Sequence, residues 1–518
     1  MKKASVAIGI VAVLGIAYVG STWYSGNLIE DNIDEQITAI TKHLNSNKRS
    51  VRFNLIKSHY EKNLFSSKFH LKVTLSQQPK YQSEASDDDQ LTLFEDDITI
   101  HHGPFPLAAL AKGNFTPQLA LIEYQMSEKK NPALWKKAGN QPPLTGYITI
   151  DYNSNNQINL ITKGGELTHN EIPSLSPDVT IEYGESSINL FSKNHGHDMG
   201  GNIKSDNFSI NANNESKLSI SQFEASLSSP NGLGLQDFEI NIGKLFQRDL
   251  TEFPLDALSV DVELYDILKL ENFKAKGRVN GITKDIEIHN TLDKLVSLSE
   301  EEPDLVLSNI DLKQIYRAAN DNQLPNGSLQ MKIESINYGQ QHLGKLIFDI
   351  DFSDSNDLFV RKLVSLGLGA IESNHASVPN NPNIALNIFN FHSDAGDLNF
   401  SFKIKQLSLG SIKTFLNNTV LTKIKLEAPF AVLDRFVAQV SNPDSSDVTD
   451  EQLFETNKII DSLLHELEDS PIVDIKQGSN PGIYSDIEIH GNKDKIRLNN
   501  HFISKQEFLQ FFESNMYD

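Results

Sequence analysis

The sequence predicts a mainly β (α+β) fold. An N-terminal transmembrane helix is followed by a long, largely antiparallel β-sheet body with interspersed short helices. Three observations carry this prediction. Residues 4–20 contain no charged side chain. From Val51 onward the dominant hydrophobic period is two residues. The alternating runs are separated by turn-forming pairs such as Asn-Gly and Gly-Gly.

The first element is the apolar segment. Lys2 and Lys3 precede it, Trp23 and Tyr24 follow it, and Glu30, Asp31, Asp34 and Glu35 lie beyond. A spanning helix needs about 20 residues, and 4–24 supplies them with the aromatic pair at the interface. Basic residues before and acidic residues after predict a cytoplasmic N-terminus and a bulk on the far side. The competing expectation is a cleaved signal peptide, with Val19-Gly20-Ser21 as the small-residue site. The second element is an amphipathic juxtamembrane helix over 25–46. Its stripe of Ile29, Ile33, Ile37, Ile40 and Leu44 suits packing on the protein's own sheet, or a short oligomerisation seam.

Strands follow. Residues 69–75, 209–212, 217–220, 384–388 and 398–404 alternate apolar with polar, as do the surroundings of Ile333, Phe348, Ile350 and Phe352. Asn231-Gly232, Asn280-Gly281 and Asn326-Gly327 are read as turns. Strands joined by such turns pair antiparallel, with one face open to water or to a ligand. Helices are expected over 305–322, 409–417, 429–440, 451–467 and 505–513, with Pro429 in a first turn. Polar loops are expected over 77–90 and 441–450. Glu300-Glu301-Glu302-Pro303 suggests a soft boundary between a β-rich region, 47–300, and a β-rich region with helices, 301–518.

Composition narrows the function. The chain has 518 residues, with 68 Asp and Glu against 46 Lys and Arg, a net charge of −22. Such a chain is repelled by nucleic acid, and no basic run with interleaved aromatics is present. It has no cysteine, so disulfides, cysteine nucleophiles and thiolate metal sites are excluded. No nucleophile elbow, phosphate-binding loop or His-Glu-x-x-His helix occurs; His465-Glu466 is followed by Asp469 in place of a second His. His195-Gly196-His197-Asp198 is the densest group of metal-ligand residues, but its flanks are those of a hairpin tip. Asp349, Asp351, Asp354 and Asp357 resemble a calcium loop in charge alone. Asp-Ile-x-Ile-His recurs at 97–101, 285–289 and 486–490, the ordinary look of an alternating strand. No catalytic, cofactor-binding or metal residue is assigned, and no cofactor is expected.

Three segments resemble a known family. Gly20-Ser21-Thr22-Trp23-Tyr24-Ser25-Gly26 with Glu30 is similar to the start of the YdgA-like family, Gram-negative bacterial proteins defined by a domain of unknown function. His59 to Ser67 resembles the family's Tyr-x-Arg-Gly-x-Phe-Ser-Ser, with Lys62 for the Arg and Asn63 for the Gly. Asparagine is the residue that best replaces glycine at a left-handed position. Ile100 to Pro106 resembles its His-Gly-Pro-Phe-Pro segment. A looser likeness at the C-terminus takes in Ala428-Pro429-Phe430, Tyr484 and Leu498-Asn499, with Asn500 for a glycine. The resemblance implies a single-pass inner-membrane protein with a periplasmic body, and it brings no catalytic residues. Gly103-Pro104 with Pro106 fixes a bend, and His102 is expected to hydrogen-bond it.

The expectation is therefore a non-enzymatic envelope protein, a scaffold or a lipid handler. Its partners are the lipid bilayer through the N-terminal helix, with lipid or envelope proteins beyond, and no nucleic acid. The rival is an envelope hydrolase acting through carboxylates or histidines, His102, His195 and His197 among them.

Overall fold

The computed structural model describes residues 51–77, 90–111, 115–130, 132–170, 176–213, 215–248, 267–299, 302–319, 324–353, 382–407, 412–467, 470 and 472–515. Between 25 and 45 it also describes 25, 27, 30–31, 33–35, 37–38, 41–42 and 45. The chain forms two compact units: Met1–Leu233 with Leu250–Ser259, and Gly234–Asp249 with Val260–Asp518.

In the first unit, strands β1 (Val51–Lys62), β2 (Ser66–Gln77), β3 (Gln90–His102), β4 (Ala120–Gln125), β5 (Leu144–Ile150) and β6 (Asn156–Thr162) each pair antiparallel with the next. Strand β7 (Gly165–Leu167) pairs with β8 (Val179–Tyr183). Strand β9 (Ser186–Lys193) joins β6 to β10 (Asp198–Ala212), and β10 pairs with β8 and with β11 (Glu215–Leu233). Helices α1 (Leu107–Ala111) and α2 (Pro132–Lys137) interrupt the strands.

Alternation places Phe69, Ile98, Ile100 and Ala120 on one face, where they form a buried cluster. The described positions between Ser25 and Lys42 are helical, and Ile33 packs on that cluster. Ion pairs Lys57–Asp34 at 2.6 Å and Lys62–Glu30 at 2.8 Å tie this segment to β1. Of the stripe read from the sequence, Ile33 thus lies on the protein's own sheet, while Ile29, Ile40 and Leu44 lie outside the described residues. The bend after β3 has Gly103 at φ 125°. The left-handed residue in the second family-like segment is its first, His59 (φ 52°), not Asn63.

The second unit is a meander. Strands β12 (Leu235–Arg248), β13 (Ile267–Asn280), β14 (Ile286–Leu298), β15 (Leu305–Arg317), β16 (Asn326–Tyr338), β17 (Gln341–Ser353), β18 (Asn383–Ser393), β19 (Gly396–Lys405) and β20 (Leu421–Pro429) pair in chain order, all antiparallel. Strands β21 (Asp474–Lys476), β22 (Gly482–His490), β23 (Lys495–Leu498) and β24 (His501–Ser504) complete it, with β22 on β20. Helices α3 (Ile412–Asn418), α4 (Phe430–Ser441), α5 (Asp450–Leu467) and α6 (Lys505–Asn515) gather at the β17–β24 end. The soft boundary near 300 falls inside this unit, because β14 and β15 on either side of it are hydrogen-bonded neighbours.

Across β12 to β16 the alternation slips along one transverse row. Ile242 and Leu245, Phe273 and Leu270, Leu292 and Leu295, Ile310 and Leu307, and Ile333 and Ile336 are each three residues apart, with two residues between them. Asn272 (φ 54°) and Asn309 (φ 52°) take left-handed conformations in this row, where asparagine is tolerated better than most residues. Asn272 Nδ2 donates to Asp293 Oδ2 at 2.8 Å. A three-residue step inside a strand imitates a helical period. That is why 305–322 reads as a helix, although 305–317 form β15.

The other expected helices form within a few residues of their predicted ends. Pro429 caps α4 from outside, with φ −60° and ψ 138°, instead of lying in its first turn. Asn280-Gly281 makes its turn, and Asn280 Oδ1 accepts from the amides of Ile282 and Thr283. Asn231-Gly232 lies inside β11. Gly327 lies inside β16, paired with Tyr316 and Phe352, so a residue without a side chain separates two buried rings. The expected loop at 78–89 lies outside the described residues, whereas 442–449 do connect α4 to α5.

Helix α4 covers the apolar face beside β17 to β22. Val432 and Ala438 are buried, Phe436 meets Phe391 edge-on at 5.5 Å, and Gln439 donates to the His342 carbonyl at 2.8 Å. Helices α3 and α6 close a second cluster of Leu416, Ile487, Ile496, Leu498 and Phe508.

Two predictions follow from this packing. A Cβ on Gly277 lies 2.3 Å from Phe238 Cζ and 3.0 Å from the Glu287 carbonyl, because the Phe238 ring crosses the glycine. Gly277→Ala therefore lowers the urea midpoint by an overpacking cost of about 1–3 kcal/mol, and adding Phe238→Leu restores part of it. Asp434 of α4 has its carboxyl pushed from near 3.8 up to about 6, by burial and then by Asp461 of α5. Unfolded, this group ionises near its ordinary value; folded, it holds its proton longer. Its contribution to stability is therefore fully present at low pH and falls as pH rises toward 6. Thermal melts at about pH 4.5 and about pH 7.5 should differ less in Asp434→Asn than in the parent protein.

Candidate functional site

The apolar face of the first unit continues past the part that the N-terminal helix covers. Register aligns Ile122, Ile148, Ile158, Leu190, Gly201 and Leu227 in one row across β4, β5, β6, β9, β10 and β11. A parallel row holds Tyr124, Gly146, Leu160, Ile188, Ile203 and Ala225. At β2–β4 Phe69, Ile98, Ile100 and Ala120 are buried, but Leu190, Ile203 and Leu227 remain 41%, 40% and 49% exposed. Three large aliphatic side chains on three paired strands make a continuous apolar stripe rather than scattered surface residues. Gly146 and Gly201 hold it flat, since a Cβ there lies 2.5 Å from Leu160 Cδ2 and 2.6 Å from Leu190 Cδ2.

The second unit has its own version. Phe238 of β12 aligns with Ile288, and Ile240 with Leu312 and Met331, all half-buried. Among the described residues, no helix packs on β12 to β16. The same face is buried where Tyr316 and Phe352 meet and where α4 lies over it, and side by side with the half-buried residues it also holds buried Ala275, Leu292, Leu329 and Ile333. Within it, Asn290 Nδ2 donates to Gln314 Oε1 at 3.1 Å, which links these two buried amides across β14 and β15.

The opposite faces are charged. On the first unit, Asp97 is held well below the usual carboxylate range by its hydrogen bond from His70, then by Lys130 and Lys68. On the second, Glu488 is lowered to about 2, first by His490 and then by Arg497 and Lys423. These groups neutralise one another in networks that order the polar face, and none faces the apolar rows. Asp96, a buried carboxylate, accepts from Tyr124 Oη at 3.1 Å and from the Ser127 amide at 2.9 Å, which occupies it structurally.

The residues singled out in the sequence do not converge. His102 is buried beside the Gly103 bend, with Nε2 3.3 Å from Ser67 Oγ. His195 and His197 sit in the exposed turn that joins β9 to β10, with His195 at φ 55°. His101 belongs to the first unit, whereas His289 pairs with Asp311 at 3.0 Å and His490 with Glu488 at 2.7 Å in the second. Asp349 lies beside Asp351 on β17 with its carboxyl raised by burial, and Asp354 and Asp357 lie outside the described residues. His465 is exposed on α5. No group of three or more potential ligands able to hold a metal exists among the described residues. Sequence reasoning did not single out Leu190, Ile203 and Leu227. Their signal is an apolar strand face with no amphipathic helix nearby in the chain to cover it.

Among the described residues no helix is long and apolar enough to cross a membrane; residues 1–24, on which the anchor expectation rests, lie outside them.

Residues 1–365 match a family described as bacterial protein of unknown function, DUF945. Protein YdgA of Escherichia coli K12 is 23% identical over 318 residues, 60% of this chain and 59% of its own length. An uncharacterised protein of Haemophilus influenzae is 26% identical over 178 residues, 33% of this chain and 44% of its own. The chain thus spans less than two thirds of the length of these relatives. No solved structure matches. With 365 of 518 residues matched, the chain belongs to the DUF945 family, bacterial proteins whose function is unknown.

Proposed function

We propose that this protein is a non-enzymatic lipid handler of the bacterial envelope, anchored in the inner membrane by residues 4–24 with its sheets on the periplasmic side. The observation that carries the proposal is the exposed stripe of Leu190, Ile203 and Leu227 on paired strands. Water-facing aliphatic rows of this kind lose free energy by contact with acyl chains, at roughly 25 cal/mol per Å² removed from water. The rows carry no charged side chain, so they offer nothing that an ionic substrate needs. Support for the anchor is the uncharged segment between Lys3 and the Trp23-Tyr24 pair.

A photo-crosslinking amino acid placed in turn at Leu190, Ile203 and Leu227 of the full chain, in cells, tests this reading. Lipid adducts are expected at these positions and not at Asn202 or Ser226, which alternate onto the opposite face. Equal labelling on both faces, or adducts to protein alone, rejects lipid binding by this stripe.

A further inference from the structure

The polar face of the first unit holds a depression that the lipid reading does not use. It has a volume of about 660 Å³, within the range of small-molecule sites. Its floor is the outward row Leu121–Thr149–Gln157–Phe191 together with Glu123 and Tyr147 of the next outward row. Its wall is the segment 116–118 that follows α1, and its rim is the β5–β6 turn at Asp151 and Asn155.

Two aromatic rings stand in it. Tyr147 on β5 and Phe191 on β9 are 37% and 38% exposed. Strand spacing and rise put their backbones about 12 Å apart. Phe191 is seated by Gly200, where a Cβ lies 2.9 Å from the ring's Cζ. Lys193 Nζ stands 5.3 Å from the Phe191 ring centre.

The polar groups are mostly amides and carboxylates: Gln118, Gln157, Asn156, Glu123 and Asp151. Asp151 is consumed by its own turn, accepting from the amides of Asn153 and Asn155. Gln118 differs. It is 5% exposed, its backbone N–H donates to the Pro104 carbonyl at 3.0 Å, and its side-chain Oε1 has no partner among the described residues. A buried acceptor of this kind is costly unless a donor reaches it.

We infer that this depression binds a neutral saccharide. Pyranose rings present an apolar C–H face, slightly positive, that suits the negative face of an aromatic ring. Their hydroxyls both donate and accept, which suits planar amides and a carboxylate. Two carboxylates against one lysine disfavour an anion. Separated rings with amides between them fit a chain of sugar units, not a single one.

The test is saturation-transfer nuclear magnetic resonance on the full chain, in a detergent without a sugar headgroup, with chitotriose and with maltotriose as probes. Transfer to at least one trisaccharide is expected. Tyr147→Ala and Phe191→Ala should each weaken it by about tenfold or more. Leu190→Asp, on the opposite face, should leave it unchanged, so this result stands or falls separately from lipid binding. No transfer to either sugar up to about 10 mM overturns the saccharide assignment. Undiminished binding in both aromatic variants overturns the location.

Discussion

Everything in this protein rests on the antiparallel ladder. Each strand satisfies its backbone groups through its neighbours, so the sheets need no covering layer to pair their amides and carbonyls. What the ladder does not supply is cover for the side chains that alternation sends to one face. Helices do that where they are present. The N-terminal helix, α4 and α6 lie over buried rows, and elsewhere the rows mix buried positions such as Ile210 and Leu292 with exposed ones such as Leu190, Ile203 and Leu227. The faces of the sheets are therefore unequal in chemistry, and the apolar face is unevenly buried along its length.

Much of this was legible in the residues. Period two revealed the strands, and Leu453, Ile459, Ile460, Leu463, Leu464 and Leu467 marked α5, although Ile459 is exposed. Asn500, standing where the family-like pattern has glycine, takes φ 71° in the β23–β24 turn, as that substitution implies. The failures have physical causes. Residues 305–317 carry a three-residue step because the alternation slips at Asn309, and no local rule separates that step from a helical turn. Gly327 follows an asparagine, as a hairpin glycine would, but its role is to make room between Tyr316 and Phe352, a contact between strands that only register reveals.

The candidate surfaces were less legible than the fold. A histidine cluster such as His195-Gly196-His197 stands out in a sequence, yet it decorates an exposed turn. Tyr147 and Phe191 sit in ordinary alternating strands and become neighbours across β6 only through pairing. Exposure of Leu190 depends on what does not lie above it, and a sequence does not print that. Motifs report local chemistry; both faces here are collective properties of several strands.

The order of pairing in the second unit has a consequence for how the chain acquires its structure. From β12 to β20 each strand bonds to the one just made, so contacts close over short stretches of chain. Such low contact order favours quick, stepwise growth, each hairpin templating the next as the polypeptide emerges. It also makes the unit modular in the manner of repeat proteins. Gain or loss of a whole hairpin alters its width while leaving every remaining ladder intact. Relatives of different lengths need not differ in architecture.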